Sequence, residues 1–251
     1  MAEILGVKID SLRIDEAIKI VHDFLYDGRQ HKIFTPNPEM LVDAHKDVYF
    51  KRVLNQSDLN ICDGFGITLV SLGKIKRITG VDFMVKLCEL AEKENKTVYF
   101  LGGISKEMLG KMVEKLKVKF PKLKIAGFNS GPWIDFIKVE GENKIFAESN
   151  ANDQAIDDII MSAPDILFVG FGHEKQEKWI AEHLRDLPSV KIIMGVGGSF
   201  DYLSDTVARA PCFLRKIGLE WLYRLIIQPW RFKRILKAIF IFPLLVVKEK
   251  L

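Results

Sequence analysis

Residues 164–179 read P-D-I-L-F-V-G-F-G-H-E-K-Q-E-K-W, and the fold turns on this stretch. Its I-L-F-V run, residues 166–169, is a short continuous apolar segment of the kind that forms a strand buried on both faces. Gly170 and Gly172 interrupt it, and a polar, helix-favouring segment follows at once. A buried strand, a glycine turn and a helix N-terminus leave backbone N–H groups facing a crevice, which favours an anionic ligand. Lys175 and Gln176 fall in the first turn of that helix, within reach of such a ligand. Trp179, one turn on, suits the core.

The same unit recurs on either side. Residues 97–101 (T-V-Y-F-L), 33–35, 59–62, 123–128 and 190–194 are further strand-length apolar runs, and residues 3–9 alternate weakly as one more strand. Helical spacing marks 15–26, with Gly28 as its stop, then 67–72, 81–93, 105–120 with Ser105 as cap, and 154–161. Pro38 fits the first position of another helix. Residues 132–152 have poor periodicity and many Asn, Glu and Gly, so they read as an irregular or inserted segment. Strands alternating with helices predict an α/β fold: stacked βαβ units forming a mostly parallel, Rossmann-like sheet covered by helices on both faces. In such sheets ligands bind beyond the carboxyl ends of the strands. Glycine or small polar residues mark those ends: Thr35 to Asn37, Asp63-Gly64, Gly102-Gly103, Asn129 to Gly131, Gly170 to Gly172, and Gly195 to Gly198. Together they define one rim.

A chain of 251 residues, 48% apolar and 28% charged, is globular and long enough for one large core with an appendage. Its net charge of +4 is unevenly placed. Residues 213–251 hold nine Lys/Arg against Glu220 and Glu249, whereas residues 1–212 hold 28 against 31 Asp/Glu. The sequence thus divides into a mildly acidic core, 1–212, and a basic helical appendage, 213–251. Cys62, Cys88 and Cys212 are scattered without C-x-x-C spacing and read as reduced thiols in or near the core. The first residues lack the basic and apolar regions of a signal peptide. Residues 238–247 form the longest apolar run, interrupted by Pro243, about half of the roughly 20 residues a spanning helix needs. The expected location is cytoplasmic, with the appendage on a membrane surface.

The rim narrows the chemistry. Gly195, Gly197 and Gly198 allow close backbone approach to a phosphate or serve only a tight strand-to-helix turn. Neither glycine loop has the full dinucleotide fingerprint or a phosphate-loop lysine, which demotes NAD and ATP hydrolysis. Asp63, after an apolar strand and before two glycines, is placed either to take a proton from a substrate hydroxyl or to fix the turn. Thr35 and Asn37 either hold substrate hydroxyls or cap the helix at Pro38. Gln176 cannot titrate and would orient or hydrogen-bond. The five histidines show no metal-ligand spacing, and no Asp-x-Asp occurs. A diphosphate would therefore be neutralised by loop N–H groups and arginines, with Arg77, Arg209 and the tail arginines as candidates. Residues 213–247 mix Arg/Lys with Trp221, Tyr223, Trp230, Phe232, Phe240 and Phe242. That is the composition of a helix lying in a bilayer interface, or of a helical pair packed on the core with a solvated basic face. Its aliphatic content exceeds what nucleic-acid phosphates require.

In combination these residues resemble the WecG/TagA/CpsF bacterial glycosyltransferases across nearly the whole chain. The resemblance rests on T-P-N-x-E at 35–39, D-G-x-G at 63–66, R-x-x-G-x-D at 77–82 and Gly172 through K-Q-E-K-W at 175–179. It continues in G-V-G-G-S-F-D at 195–201, R-A-P at 209–211 and G-L-E-W-L-Y-R at 218–224. The family implies inverting, metal-independent and cofactor-free transfer of a sugar, N-acetylmannosamine in some members, from a UDP-sugar to a polyprenyl-diphosphate-linked amino sugar. The resemblance puts the proposed base at Asp63, supporting roles at Thr35 and Gln176, and diphosphate-closing arginines at Arg224, Arg231 and Arg234. Substrate binding is expected from Asn37, Arg77, Gly102, Gly170, Gly172, Lys175, Gly195, Gly197 and Gly198. Expected partners are the UDP-sugar, the lipid-linked acceptor and, through 213–251, an anionic membrane surface, without nucleic acid; a homo-oligomer is compatible with these features. Competing readings are a peripheral UDP-sugar- or lipid-binding protein without catalysis and, more weakly, an NAD-dependent oxidoreductase. The chain departs from the family pattern at Glu174, where Pro is usual, at Asp205, where Gly is usual, and in a longer 132–161 region. Asp tolerates left-handed turns, whereas Glu174 adds negative charge that suits a helix start and would repel a nucleotide phosphate.

Overall fold

In the computed structural model, which describes residues 2–103 and 105–250, the strands run in chain order β1 (Ala2–Ile4), β2 (Val7–Ile9), β3 (His31–Phe34), β4 (Leu59–Asn60) and β5 (Thr97–Gly102). They continue as β6 (Lys124–Asn129), β7 (Ile134–Val139), β8 (Glu142–Ala147), β9 (Ile166–Gly170) and β10 (Ile192–Gly195). Six of these form one parallel sheet in the order β4-β3-β10-β9-β5-β6. The apolar run at 166–169 is therefore near its centre, paired with β5 on one side and β10 on the other.

Period-two alternation explains why that run is apolar throughout. Ile166 and Phe168 pack into one core beside Val98, Phe100, Ile192 and Met194. Leu167 and Val169 pack into the other, beside Tyr99, Leu101 and Ile193. Each is fully buried, a contribution of about 1.5–3 kcal/mol per side chain. Cys62 and Cys88 lie in these cores, whereas Cys212 is exposed.

Helices cover both faces, and their starts follow the sequence. Ser105 accepts from Met108 N–H at 3.2 Å to cap Lys106–Lys119. Asn37 accepts from Met40 N–H at 3.1 Å to cap Pro38–Lys46. A helix at Val48–Asn55, capped by Asp47, was not expected from the sequence.

Two further segments depart from the sequence reading. Residues 3–9 form no single strand, because Leu5 and Gly6 take left-handed φ values of 52° and 76° and fold β1 back on β2. Residues 132–152 are ordered into the antiparallel hairpin β7–β8 and the start of helix Ser149–Ser162. The hairpin leaves much of both faces partly exposed, so it lacks the clean alternation that announces a strand.

The C-terminal segment is helical from Glu220–Ile227 to Phe242–Lys250. A π-helical stretch, Lys237–Ile241, precedes Pro243, which cannot supply the N–H of a regular helix. Phe242 and Val246 are buried against the sheet domain, while Trp230, Phe240 and Leu244 are exposed. Among the described residues no helix is long and apolar enough to cross a membrane.

Candidate active site

A cavity of about 380 Å³ opens at the carboxyl end of the sheet. Thr35, Asn37 and Asp63 line one side of it, from the ends of β3 and β4. Gly170, Gly172, Lys175 and Gln176 line another, joined by Gly197 and Gly198 after β10. Arg224, Arg231 and Arg234 reach it from the C-terminal segment. Four of the glycine and arginine positions expected at the site, Gly102, Gly195, Arg77 and Arg209, do not border this cavity. A Cβ on Gly102 would fall 2.7 Å from the backbone of Gly170, and one on Gly195 would fall 2.9 Å from Gln176 Nε2. Both glycines make room for neighbouring protein atoms. Arg77 and Arg209 are engaged elsewhere.

Asp63 is strongly affected by its surroundings. Its side chain borders the cavity, but protein packs around it on the other sides, and this burial raises its pKa to about 6. Arg77 and Arg224 pull the other way, as does a hydrogen bond from Gly80 N–H, while Glu220 adds to the rise. Thr35 is its neighbour: a Cβ on Gly80 would lie 3.3 Å from Thr35 Oγ1 and 3.5 Å from Asp63 Oδ2. Gly80 thus leaves space for both polar groups. The backbone of Asp63 is anchored by N–H donation to Pro36 O at 3.0 Å and by Arg77 Nε donating to its carbonyl at 3.1 Å. A partly desolvated carboxyl on the wall of a polar cavity is suited to accept a proton near neutral pH.

Opposite, helix Lys175–His183 does not present the open N-terminus that the sequence suggested. Glu177 is fully buried, and its carboxylate accepts Glu174 N–H at 2.6 Å and Gln176 Nε2 at 2.7 Å. Gln176 N–H is given to Gly172 O at 3.0 Å. The helix therefore supplies its own anion. Burial raises the pKa of Glu177, opposed by the bond from Gln176. Gln176, itself buried, accepts Gly197 N–H at 2.9 Å through Oε1 and so fixes the glycine loop after β10. Asn37 performs the capping role described above while lining the cavity.

Glu174 also differs from expectation. Its φ of 69° is one that proline cannot adopt, so the backbone here is incompatible with the residue usual in the family. Its carboxylate accepts from Lys178 Nζ at 2.9 Å and Asn143 Nδ2 at 3.2 Å and does not line the cavity. Lys178 is fully buried and also bonds Asp47 and the Asn143 carbonyl. Glu174 thereby compensates a buried cation and fastens the β7–β8 hairpin. Lys175 Nζ donates to Ile134 O at the base of the same hairpin. Asp205 adopts φ 58°, the left-handed turn expected of it.

The arginines separate into two groups. Arg77 donates to Glu220 at 2.8 Å and to the Arg215 carbonyl at 3.2 Å, and Arg209 grips Asp82 with two nitrogens at 2.7 and 2.9 Å. Both are committed to internal partners, which corrects their placement at a diphosphate. The three tail arginines crowd the cavity instead. Arg231 is half-buried, has no ion-pair or side-chain hydrogen-bond partner among the described residues, and has its pKa lowered by burial and by Arg234 and Arg224. Arg224 lies 4.8 Å above the Tyr202 ring, and its buried Nε has no acceptor. Arg224 also pairs with Glu220 at 3.6 Å, which leaves Arg231 as the guanidinium of the three without an ion-pair partner among the described residues.

Arg234 is held by Glu39 at 2.8 and 3.0 Å and donates to His173 Nδ1 at 3.0 Å. That leaves His173 Nε2 to donate to Asp43 at 3.2 Å, and Asp43 also accepts Lys237 at 2.7 Å. Glu39, Asp43 and His173 lie close enough to share a cation, a proximity hidden by their sequence spacing. Arg234 and Lys237 already supply that positive charge. The cavity also contains Trp133, Asp201 and Tyr202, which the sequence reading did not select. Asp201 stood in the G-V-G-G-S-F-D motif; Trp133, at the edge of the unassigned hairpin, carried no signal.

The chain matches the profile of the "Glycosyl transferase WecG/TagA/CpsF family" over residues 2–251. It is 36% identical over 222 residues to a Bacillus subtilis (strain 168) protein, with 87% of this chain and 79% of the relative covered. A Bacillus spizizenii relative is 34% identical over 208 residues, covering 81% and 74%. A Staphylococcus aureus (strain MRSA252) relative is 29% identical over 256 residues, covering 99% and 92%. Each of these is named N-acetylglucosaminyldiphosphoundecaprenol N-acetyl-beta-D-mannosaminyltransferase. With its motifs gathered around one cavity, the chain belongs to the WecG/TagA/CpsF family of glycosyl transferases.

Proposed function

We propose that this protein transfers N-acetylmannosamine, or a close derivative, from a UDP-sugar to N-acetylglucosaminyl-diphosphoundecaprenol, with inversion and without a metal ion. The names of its relatives support the sugar and acceptor. The observation that carries the site assignment is Arg231, unpaired among the described residues, lining one cavity together with Arg224, Arg234 and Asp63. A diphosphate gives Arg231 a partner, and a carboxyl poised near pH 6 suits a hydroxyl nucleophile.

In this reaction the acceptor hydroxyl oxygen bonds to the anomeric carbon as the bond to UDP breaks. Asp63 takes the hydroxyl proton, with Thr35 beside it to orient the acceptor. UDP departs as an anion, its added charge held by Arg224, Arg231, Arg234 and loop N–H groups. Gln176 is a positioning residue that keeps Gly197 in place, and Asn37, Gly170, Gly172, Lys175 and Gly198 complete the binding surface. The exposed apolar and basic side chains of residues 213–251 dock this appendage on an anionic bilayer, where the acceptor resides.

The test is release of UDP from UDP-N-acetylmannosamine, dependent on lipid acceptor and measured in excess EDTA. Full activity is expected. No acceptor-dependent release would leave only a binding protein, and a strict Mn²⁺ or Mg²⁺ requirement would overturn the metal-free step.

A further inference from the structure

A second cavity, of about 430 Å³, adjoins the first. The two share Asn37, Asp63, Val81 and the three tail arginines, so the charged groups form a boundary between them. Beyond that boundary the second cavity is walled mainly by apolar side chains. Leu69 and Val70 come from helix Phe65–Val70, and Ile235, Ala238, Ile239 and Pro243 come from the C-terminal segment. Glycines bring its walls together: a Cβ on Gly66 would fall 3.0 Å from Pro38, and one on Gly218 would fall 2.5 Å from the Phe65 ring. Leu69 is nonetheless 65% exposed, a large apolar side chain left open at the groove.

We propose that this groove seats the first isoprene units of the acceptor's polyprenyl chain. The inference rests on the proposed function and adds a hydrocarbon subsite to it. Its basis is the order of chemistry along one continuous surface: a polar cavity, then a boundary that holds Asp63 and three guanidiniums, then an apolar channel. A sugar–diphosphate–hydrocarbon ester presents hydroxyl, anion and alkene in that same order. The enzyme thus selects its acceptor by the chain as well as the sugar, before any contact with bulk lipid.

Water-soluble acceptors separate this subsite from membrane docking. N-acetylglucosaminyl diphosphate carrying either methyl or farnesyl is assayed below micellar concentrations, without vesicles, in wild type, Ala238→Phe and Leu69→Glu. The wild type should show a KM at least about tenfold lower for farnesyl, since burying a few methylenes suffices for that ratio. Ala238→Phe fills the channel and Leu69→Glu places a charge in it, so both should abolish the preference. Leu69 is exposed enough that its replacement does not challenge folding. Equal KM values in wild type, with turnover intact, would overturn the groove and leave the function standing. A preference that survives both variants while vesicle binding falls would mean that bilayer acyl chains occupy the groove, which also overturns it. Failure to use either acceptor, or the undecaprenyl acceptor, would remove the function and the subsite together.

Discussion

Two regions that meet at the cavity use their polar groups differently. Around residues 170–179 nearly every donor and acceptor is already matched: Glu177 with Glu174 N–H and Gln176, Gln176 with Gly197, and Lys178 with Glu174 and Asp47. In the C-terminal segment Arg231 has no partner among the described residues and Arg224 Nε has no acceptor. A satisfied network is rigid and holds geometry. An unsatisfied one retains free energy for a ligand. On the proposed function the core shapes the site and the tail arginines, rather than the core helix N-terminus, hold the anion.

The largest effect should come from the group between these regions. Asp63→Asn is expected to lower turnover by about 10²–10⁴-fold while leaving UDP binding near its original level. In the wild type, kcat/KM should fall as pH drops below about 6, when Asp63 becomes protonated. The stability change runs the other way. A raised pKa means that the native state keeps a proton that the unfolded chain releases between about pH 3.8 and 6. Stability from this group is therefore lost as pH rises through that window, and Asn should add about 1–3 kcal/mol at pH 7. Near-normal turnover would remove Asp63 from the base role, and a lower melting temperature at pH 7 would contradict the burial account.

Arg231→Gln comes next, with an expected loss of about 10²-fold in kcat and a melting temperature unchanged or raised. Its counterpart is Arg77→Gln. There the expected loss is mainly stability, about 1–3 kcal/mol, because Glu220 keeps only its longer contact with Arg224 at 3.6 Å. If the two variants divided between activity and stability in the opposite way, the contrast between committed and uncommitted arginines would fail.

The smallest effect belongs to Glu177→Gln. Its amide keeps the shape but loses acceptor capacity, so about 1–3 kcal/mol of stability and a few-fold in kcat are expected to go. Chemical denaturation and steady-state kinetics together measure the split.

The parts of this architecture that were legible in sequence are those governed by local rules. Residues 166–169 announced a strand by being apolar throughout, and Asn37, Pro38 and Ser105 marked helix starts by their cap chemistry. The ordered motifs picked out many of the residues that line the cavity, though not Trp133 or Tyr202, and their spacing did not show which of them were spent on one another. Arg77 meets Glu220 across 143 positions and Arg234 meets Glu39 across 195. Only the fold creates such pairs. The β7–β8 hairpin escaped notice because its half-exposed faces carry no period-two signal.

The strand order has a consequence for biosynthesis. Because β9 and β10 occupy the middle of the sheet, a ribosome releases β3–β4 and β5–β6 as two separate ribbons with nothing to join them. Each keeps an inner edge open to stray pairing until residues 166–195 have left the exit tunnel. The sheet closes late, and the cavity cannot exist before it does. A nascent chain arrested ahead of residue 166 should therefore show rapid amide exchange along β3 and β5. Release past residue 195 should protect both at once, making the last two strands the keystone of assembly.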